Sequence, residues 1–216
     1  MFFALEERVA HHTDWILVAL LVASFLVVFA RLYHPKKFYF FRALPFNRGA
    51  KTFESEFNPN GVRDAFDVLL TLNFYLVYTM GCLLILPEAI ELYSFARVLF
   101  IILLFFLTKN FLALFVGWLF QEQERIAVVQ NTNLAYRSWS ALWLLPILII
   151  TTFTPGLRES GSYLILFFML AGYLLALLIS SLRLWDLPGG TNYKILYLCA
   201  LEIVPFSFLI YWLKSL

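Results

Sequence analysis

The sequence predicts an all-α, polytopic membrane bundle of about six transmembrane helices. Three observations carry that expectation. Of the 216 residues, 62% are hydrophobic and only 14% charged, against ~45–50% and ~25% in soluble domains. The mean hydropathy of the whole chain is +0.81. The apolar residues also gather into runs long enough to cross a bilayer, with the turn-forming residues between them. No soluble core of this size could hide so much apolar surface, so lipid must be the solvent for most of it. The chain therefore reads as a single integral-membrane domain over residues 1–216. A net charge of +2 gives no basis for nucleic-acid binding.

Residues 1–14 form a polar lead. It carries Glu6 and Glu7 against Arg8, where a signal peptide would have a basic region, and no small-residue cleavage site follows. His11 and His12 are adjacent, about 100° apart on a helix, and suit an interfacial tail better than one metal ion. The first span runs over residues 15–32 and stops at Arg31, Tyr33, His34 and Pro35, an interfacial ending.

Residues 33–64 form an amphipathic cytoplasmic loop. Its first half interleaves Lys36, Lys37, Arg42 and Arg48 with Phe38, Tyr39, Phe40, Phe41 and Phe46. That pattern predicts cations on anionic headgroups or on a partner's acidic surface, with the aromatics dipped into the interface. Phe57-Asn58-Pro59-Asn60-Gly61 is turn chemistry, and Asn60 or Asp64 could cap the next helix.

The second span, about 65–86, contains Asn73, whose amide should meet another helix. The third, about 95–120, carries Lys109 and Asn110 near its centre. Residues 121–138 are polar with Ile126, Val129 and Leu134 at near-helical intervals. They read as a continuation of the third helix or as a short surface helix. The apolar run 139–153 rises only ~22 Å, short of the ~30 Å hydrocarbon core. It must begin within that polar stretch, or be a thin or broken span around Pro146. The fifth span, about 162–184, holds Gly172 and Ala176, a small-xxx-small pair suited to close helix approach. The sixth, about 193–213, carries Glu202 near its middle and Pro205 one turn later.

With six spans, eleven lysines and arginines flank one side, four flank the other, and Lys109 lies within the membrane. The positive-inside rule puts the first group in the cytoplasm and both termini outside.

The sequence offers little catalytic chemistry. It holds no metalloprotease motif, serine-nucleophile elbow or phosphate loop. Asp64 and Asp67 share a helical face, as metal ligands or as acids complementing the helix dipole. Cys82 and Cys199 lie inside apolar runs and suit packing rather than a disulfide. No cofactor or metal is expected. The intramembrane polar pair Lys109 and Glu202, supported by Asn73 and Asn110, stands out. Counted from the cytoplasmic span ends, Lys109 and Glu202 lie at ~16 and ~14 Å. They form either a buried pair that fixes helix docking or a thin proton or ion relay.

The segment Leu196-Tyr197-Leu198-Cys199-Ala200-Leu201-Glu202-Ile203-Val204-Pro205, the Lys109-Asn110 pair and the polar stretch from Asn131 to Arg137 resemble an uncharacterised family of small multi-spanning inner-membrane proteins of Bacteroidota. The resemblance covers nearly the whole chain. It implies a bacterial cytoplasmic membrane, and no activity or catalytic residue. The resulting expectation is an accessory or scaffold subunit of an envelope process such as export, envelope assembly or motility. Its partners would be membrane lipids and a protein in the membrane. The alternatives are a small transporter or proton-coupled channel using Lys109 and Glu202, and a lipid-phosphate-handling enzyme or flippase.

Overall fold

The computed structural model describes residues 14–44, 64–85 and 92–186. All regular structure among them is helical: α1 (Asp14–Tyr33), α2 (Pro35–Arg42), α3 (Ala65–Ile85), α4 (Leu92–Leu119), α5 (Gln123–Phe153), a 3₁₀ turn (Pro155–Leu157) and α6 (Arg158–Asp186). Every one of these except α2 and the 3₁₀ turn is long and apolar enough to cross a membrane. The expected sixth span and Glu202 lie outside the described residues, as do residues 1–13 and Arg48.

Hydrocarbon cannot hydrogen-bond, and several hydroxyls in the spans bond back to their own helix. Ser24 donates to the Leu20 carbonyl at 2.8 Å, Thr79 to Tyr75 at 2.7 Å and Thr151 to Ile147 at 2.8 Å. These back-bonds hide hydroxyls that would otherwise cost stability in lipid. The first turn of α3 is held by a reciprocal cap. The Asp67 N–H donates to Asp64 Oδ1 at 3.0 Å, and the Asp64 N–H to Asp67 Oδ2 at 3.4 Å. This is the capping-box geometry with aspartate at both ends, and it fulfils the expectation for Asp64 as a cap.

Residues 121–138 neither continue the third span nor form a separate surface helix. α4 ends at Leu119, and Gln121 turns the chain with φ 56°. The Glu122 N–H bonds the Gly117 carbonyl at 2.8 Å, and the Gln121 N–H the Trp118 carbonyl at 3.3 Å. This is a Schellman ending, with glutamine at the left-handed position that glycine usually takes. From Gln123 the chain runs as one helix to Phe153. The fourth span therefore starts inside the polar stretch, at Ile126, which resolves the shortfall in length of the run 139–153.

The spans alternate in direction. α1 and α3 have 20 and 21 residues, ~30 Å each, equal to the hydrocarbon core. They end together at one edge, where His34 and Asp64 approach to 4.0 Å. At the opposite edge the Trp15 and Phe95 rings meet at 5.3 Å. α4 and α5 are longer, at 28 and 31 residues, and the contact at Trp15 aligns α4 there. Their extra length therefore projects past the His34 edge.

Small residues bring α5 and α6 together. A Cβ on Gly172 would lie 2.4 Å from Ser140 Cβ, and one on Gly161 2.4 Å from Thr151 Cγ2. Ala176, one turn beyond Gly172, is fully buried. Gly172 and Ala176 thus face the bundle as the small-xxx-small spacing suggested.

Candidate functional site

Among the described residues, two charged clusters are buried in the bundle. The first sits at the His34 edge. Pro35 starts α2 at a position where its missing N–H costs nothing. α2 then lays Phe41 against Phe66, Leu70 and Tyr136. Its C-terminal end is held by α5, where Tyr136 Oη donates to the Leu44 carbonyl at 3.2 Å and Trp139 Nε1 to the Arg42 carbonyl at 3.1 Å.

Lys36 and Arg42 face outward, as an interfacial helix requires. Lys37 does not. It is 1% exposed, and its ammonium donates to Asp64 Oδ2 at 2.9 Å and Asp67 Oδ2 at 3.0 Å, over the Phe66 ring at 5.0 Å. Lys37, expected with Lys36, Arg42 and Arg48 on lipid headgroups or a partner's surface, is turned instead into the bundle. Adjacent lysines project about 100° apart on a helix, and here that turn carries Lys37 inward while Lys36 stays exposed. Burial opposes ionisation of Asp64, but the Lys37 hydrogen bond, the Asp67 N–H and the Lys37 charge outweigh it, and its carboxyl sits below the usual carboxylate range. Asp64 and Asp67 are thus cap and counter-charge at once. Among the described residues no group of His, Cys, Asp and Glu is arranged to hold a metal.

The second cluster is a cationic chamber between α3, α4 and α5. Tyr75, Phe106, Lys109, Asn110, Ala113, Gln130, Asn133, Leu134 and Arg137 enclose about 20 Å³. Lys109 and Arg137 are each 5% exposed. The Arg137 guanidinium lies over the Phe106 ring at 4.7 Å and the Tyr173 ring at 5.2 Å, and the Lys109 ammonium 5.7 Å from Tyr173. Such contacts are worth ~0.5–2 kcal/mol each. Gln130 Nε2 donates to the Asn110 carbonyl at 3.3 Å and ties the two helices across the chamber. Ser140 donates to the Arg137 carbonyl at 2.8 Å, which leaves Tyr78 to donate to Ser140 at 2.8 Å. That chain fixes the α5 backbone at Arg137 against α3.

From Phe95 to Lys109 is ~21 Å along α4, and from Phe153 to Arg137 is ~24 Å along α5, so both cations lie in the half of their helices toward the His34 end.

Of the expected polar set, Lys109 and Asn110 line the chamber. Asn73 is fully buried, and neither its amide nitrogen nor its carbonyl oxygen has a hydrogen-bond partner among the described residues. Arg137, Asn133 and Gln130 were not among the expected site residues. Their signal was present, since positions 130, 133 and 137 share one helical face, but assigning 121–138 to the surface concealed it.

The family described as a domain of unknown function, DUF4271, matches residues 16–213. No curated protein and no solved structure matches the chain. With the match running over most of its length, this chain belongs to the DUF4271 family.

Proposed function

We propose that the protein is an accessory or scaffold subunit of a bacterial inner-membrane envelope process, such as export, envelope assembly or motility. The observation that supports this is the small size of the cavity on which Lys109 and Arg137 converge from two helices beside Asn110 and Asn133. About 20 Å³ has room for about one water. That size favours polar groups that fix the helices over a path for a solute, and leaves transport through Lys109 and Glu202 as the second reading. The His34 edge is the cytoplasmic one on the balance of lysines and arginines.

The test is purification of the tagged full-length chain from native membranes in mild detergent, followed by reconstitution. The proposal expects a membrane partner at near-equal stoichiometry and no solute flux in liposomes. A solitary chain with flux that depends on Lys109 and Glu202 would overturn it in favour of transport.

A further inference from the structure

We infer that the apolar run 193–213 returns beside α6 and sets Glu202 against both Lys109 and Arg137, so that one carboxylate serves two cations drawn from different helices. The inference rests on the reading of these polar groups as a fixture of the helices, and extends it to a cluster of three charges.

Tyr173 fixes the height. It stands half-buried on α6, its ring 5.2 Å from the Arg137 guanidinium and 5.7 Å from the Lys109 ammonium. Three helices therefore meet at one level: α4 through Lys109, α5 through Arg137 and α6 through Tyr173. From there α6 runs on to Asp186, and Pro188-Gly189-Gly190 follows almost at once. Proline stops a helix and the glycines permit a tight reversal. A connection this short joins antiparallel neighbours. Tyr173 lies 15 residues before Pro188, and Glu202 lies 14 residues after it. At the helical rise these are ~22 and ~21 Å. A chain that reverses at Pro188 and climbs back beside α6 thus brings Glu202 to the height of Tyr173, and so to that of both cations.

The chemistry agrees with the height. Glu202 is the one acidic side chain among residues 187–216, and a carboxylate within an apolar run pairs with a cation inside the bundle. Its two oxygens can accept from a guanidinium and an ammonium together. The Lys37 cluster has the same form with the signs exchanged. There one ammonium is shared by the carboxylates of Asp64 and Asp67, at 2.9 and 3.0 Å, and joins α2 to the start of α3. The cluster at Glu202 joins the last apolar run to α4 and α5 in the same way.

The experiment uses the full-length chain and has two arms. The first is cross-linking in native membranes. With Cys82→Ala, Cys199 is the remaining native thiol. It lies 11 residues after Pro188, level with Leu177, which lies 11 before it. Single cysteines replace Leu174, Leu175, Leu177 and Leu178, positions around α6 that are half-buried or exposed. On oxidation with copper phenanthroline at least one of them should link to Cys199 within the monomer. Leu164→Cys, ~20 Å away along α6, should not. The second arm is melting in neutral detergent. Glu202→Gln removes a partner from both cations and should cost the most, ~6–12 °C. Lys109→Met and Arg137→Gln should each cost less, and each should lose about half of its effect in the Glu202→Gln background. Arg137→Lys should keep most of the wild-type melting temperature. Should Glu202→Gln fail to fold, Glu202→Asp takes its place with smaller losses. No link from any of the four positions, or an equal link from Leu164→Cys, overturns the return beside α6. A link accompanied by additive losses overturns the cluster, and coupling of Glu202 to Lys109 alone removes Arg137 from it. The subunit reading is decided separately, by the partner found on purification.

Discussion

Replacing Lys37 with methionine removes the cation between Asp64 and Asp67 while keeping the length of the side chain. The ammonium is 1% exposed and makes hydrogen bonds of 2.9 and 3.0 Å, whereas the Asp64 side chain is 36% exposed and that of Asp67 19%. Stranding a fully buried charge costs ~3–5 kcal/mol. Water reaching both carboxylates puts this case near the low end, about 3 kcal/mol, or ~6–12 °C in melting temperature for a chain of this size. The effect depends on pH. The carboxyl of Asp64 is lowered in the folded protein, so its contribution is present above the ordinary carboxylate pKa and is lost as pH falls through the folded value. The melting gap between wild type and Lys37→Met should therefore be widest near neutrality and narrow below about pH 4. The assay is thermal unfolding of the detergent-solubilised chain across that range, with Asp67→Asn and the double variant completing a cycle. Partial recovery in the double variant is expected. A gap that does not change with pH, together with losses that simply add, would refute the paired-charge account.

Other perturbations have equally definite outcomes. Gly172→Ala should lower stability by ~1–3 kcal/mol, because its Cβ would lie 2.4 Å from Ser140 Cβ, and Ser140→Gly should restore part of the loss in a melting assay. Gln121→Gly should raise stability by ~0.5–1 kcal/mol by relieving the left-handed residue at φ 56°, and Gln121→Val should lower it. Lys109→Met and Glu202→Gln should each lower the melting temperature, with recovery in the double variant if the two charges meet; additive losses would separate them. A reporter active only in the periplasm should be active when fused after Leu216 and silent near Gly49, and the reverse pattern would invert the assignment of sides.

Much of the fold was legible because lipid imposes a length. Uniformly apolar runs, as over residues 15–32 and 65–85, lie in helices long and apolar enough to cross a membrane. The reading failed where polarity was local but burial was not. Residues 121–138 are polar enough to look like surface, yet Val129, Tyr136 and Arg137 are buried. Hydropathy alone cannot tell a solvated face from one lining a chamber. The same ambiguity hid Lys37, since an adjacent pair of lysines reads as a basic surface until the helix turns one of them inward. Asp64 and Asp67 were seen as a pair on one face. Their partner was not, because Lys37 and Asp64 are joined only by tertiary packing across the loop. Lys109 stands out because a lone cation in an apolar run is conspicuous, whereas Arg137 beside it lies in a polar stretch and does not.

Work as a subunit of a membrane assembly is tested most simply by purifying the tagged full-length chain from native membranes in mild detergent. A membrane partner at near-equal stoichiometry is expected. A chain that emerges alone, and that in liposomes passes solute or protons in a manner dependent on Lys109 and Glu202, refutes that reading.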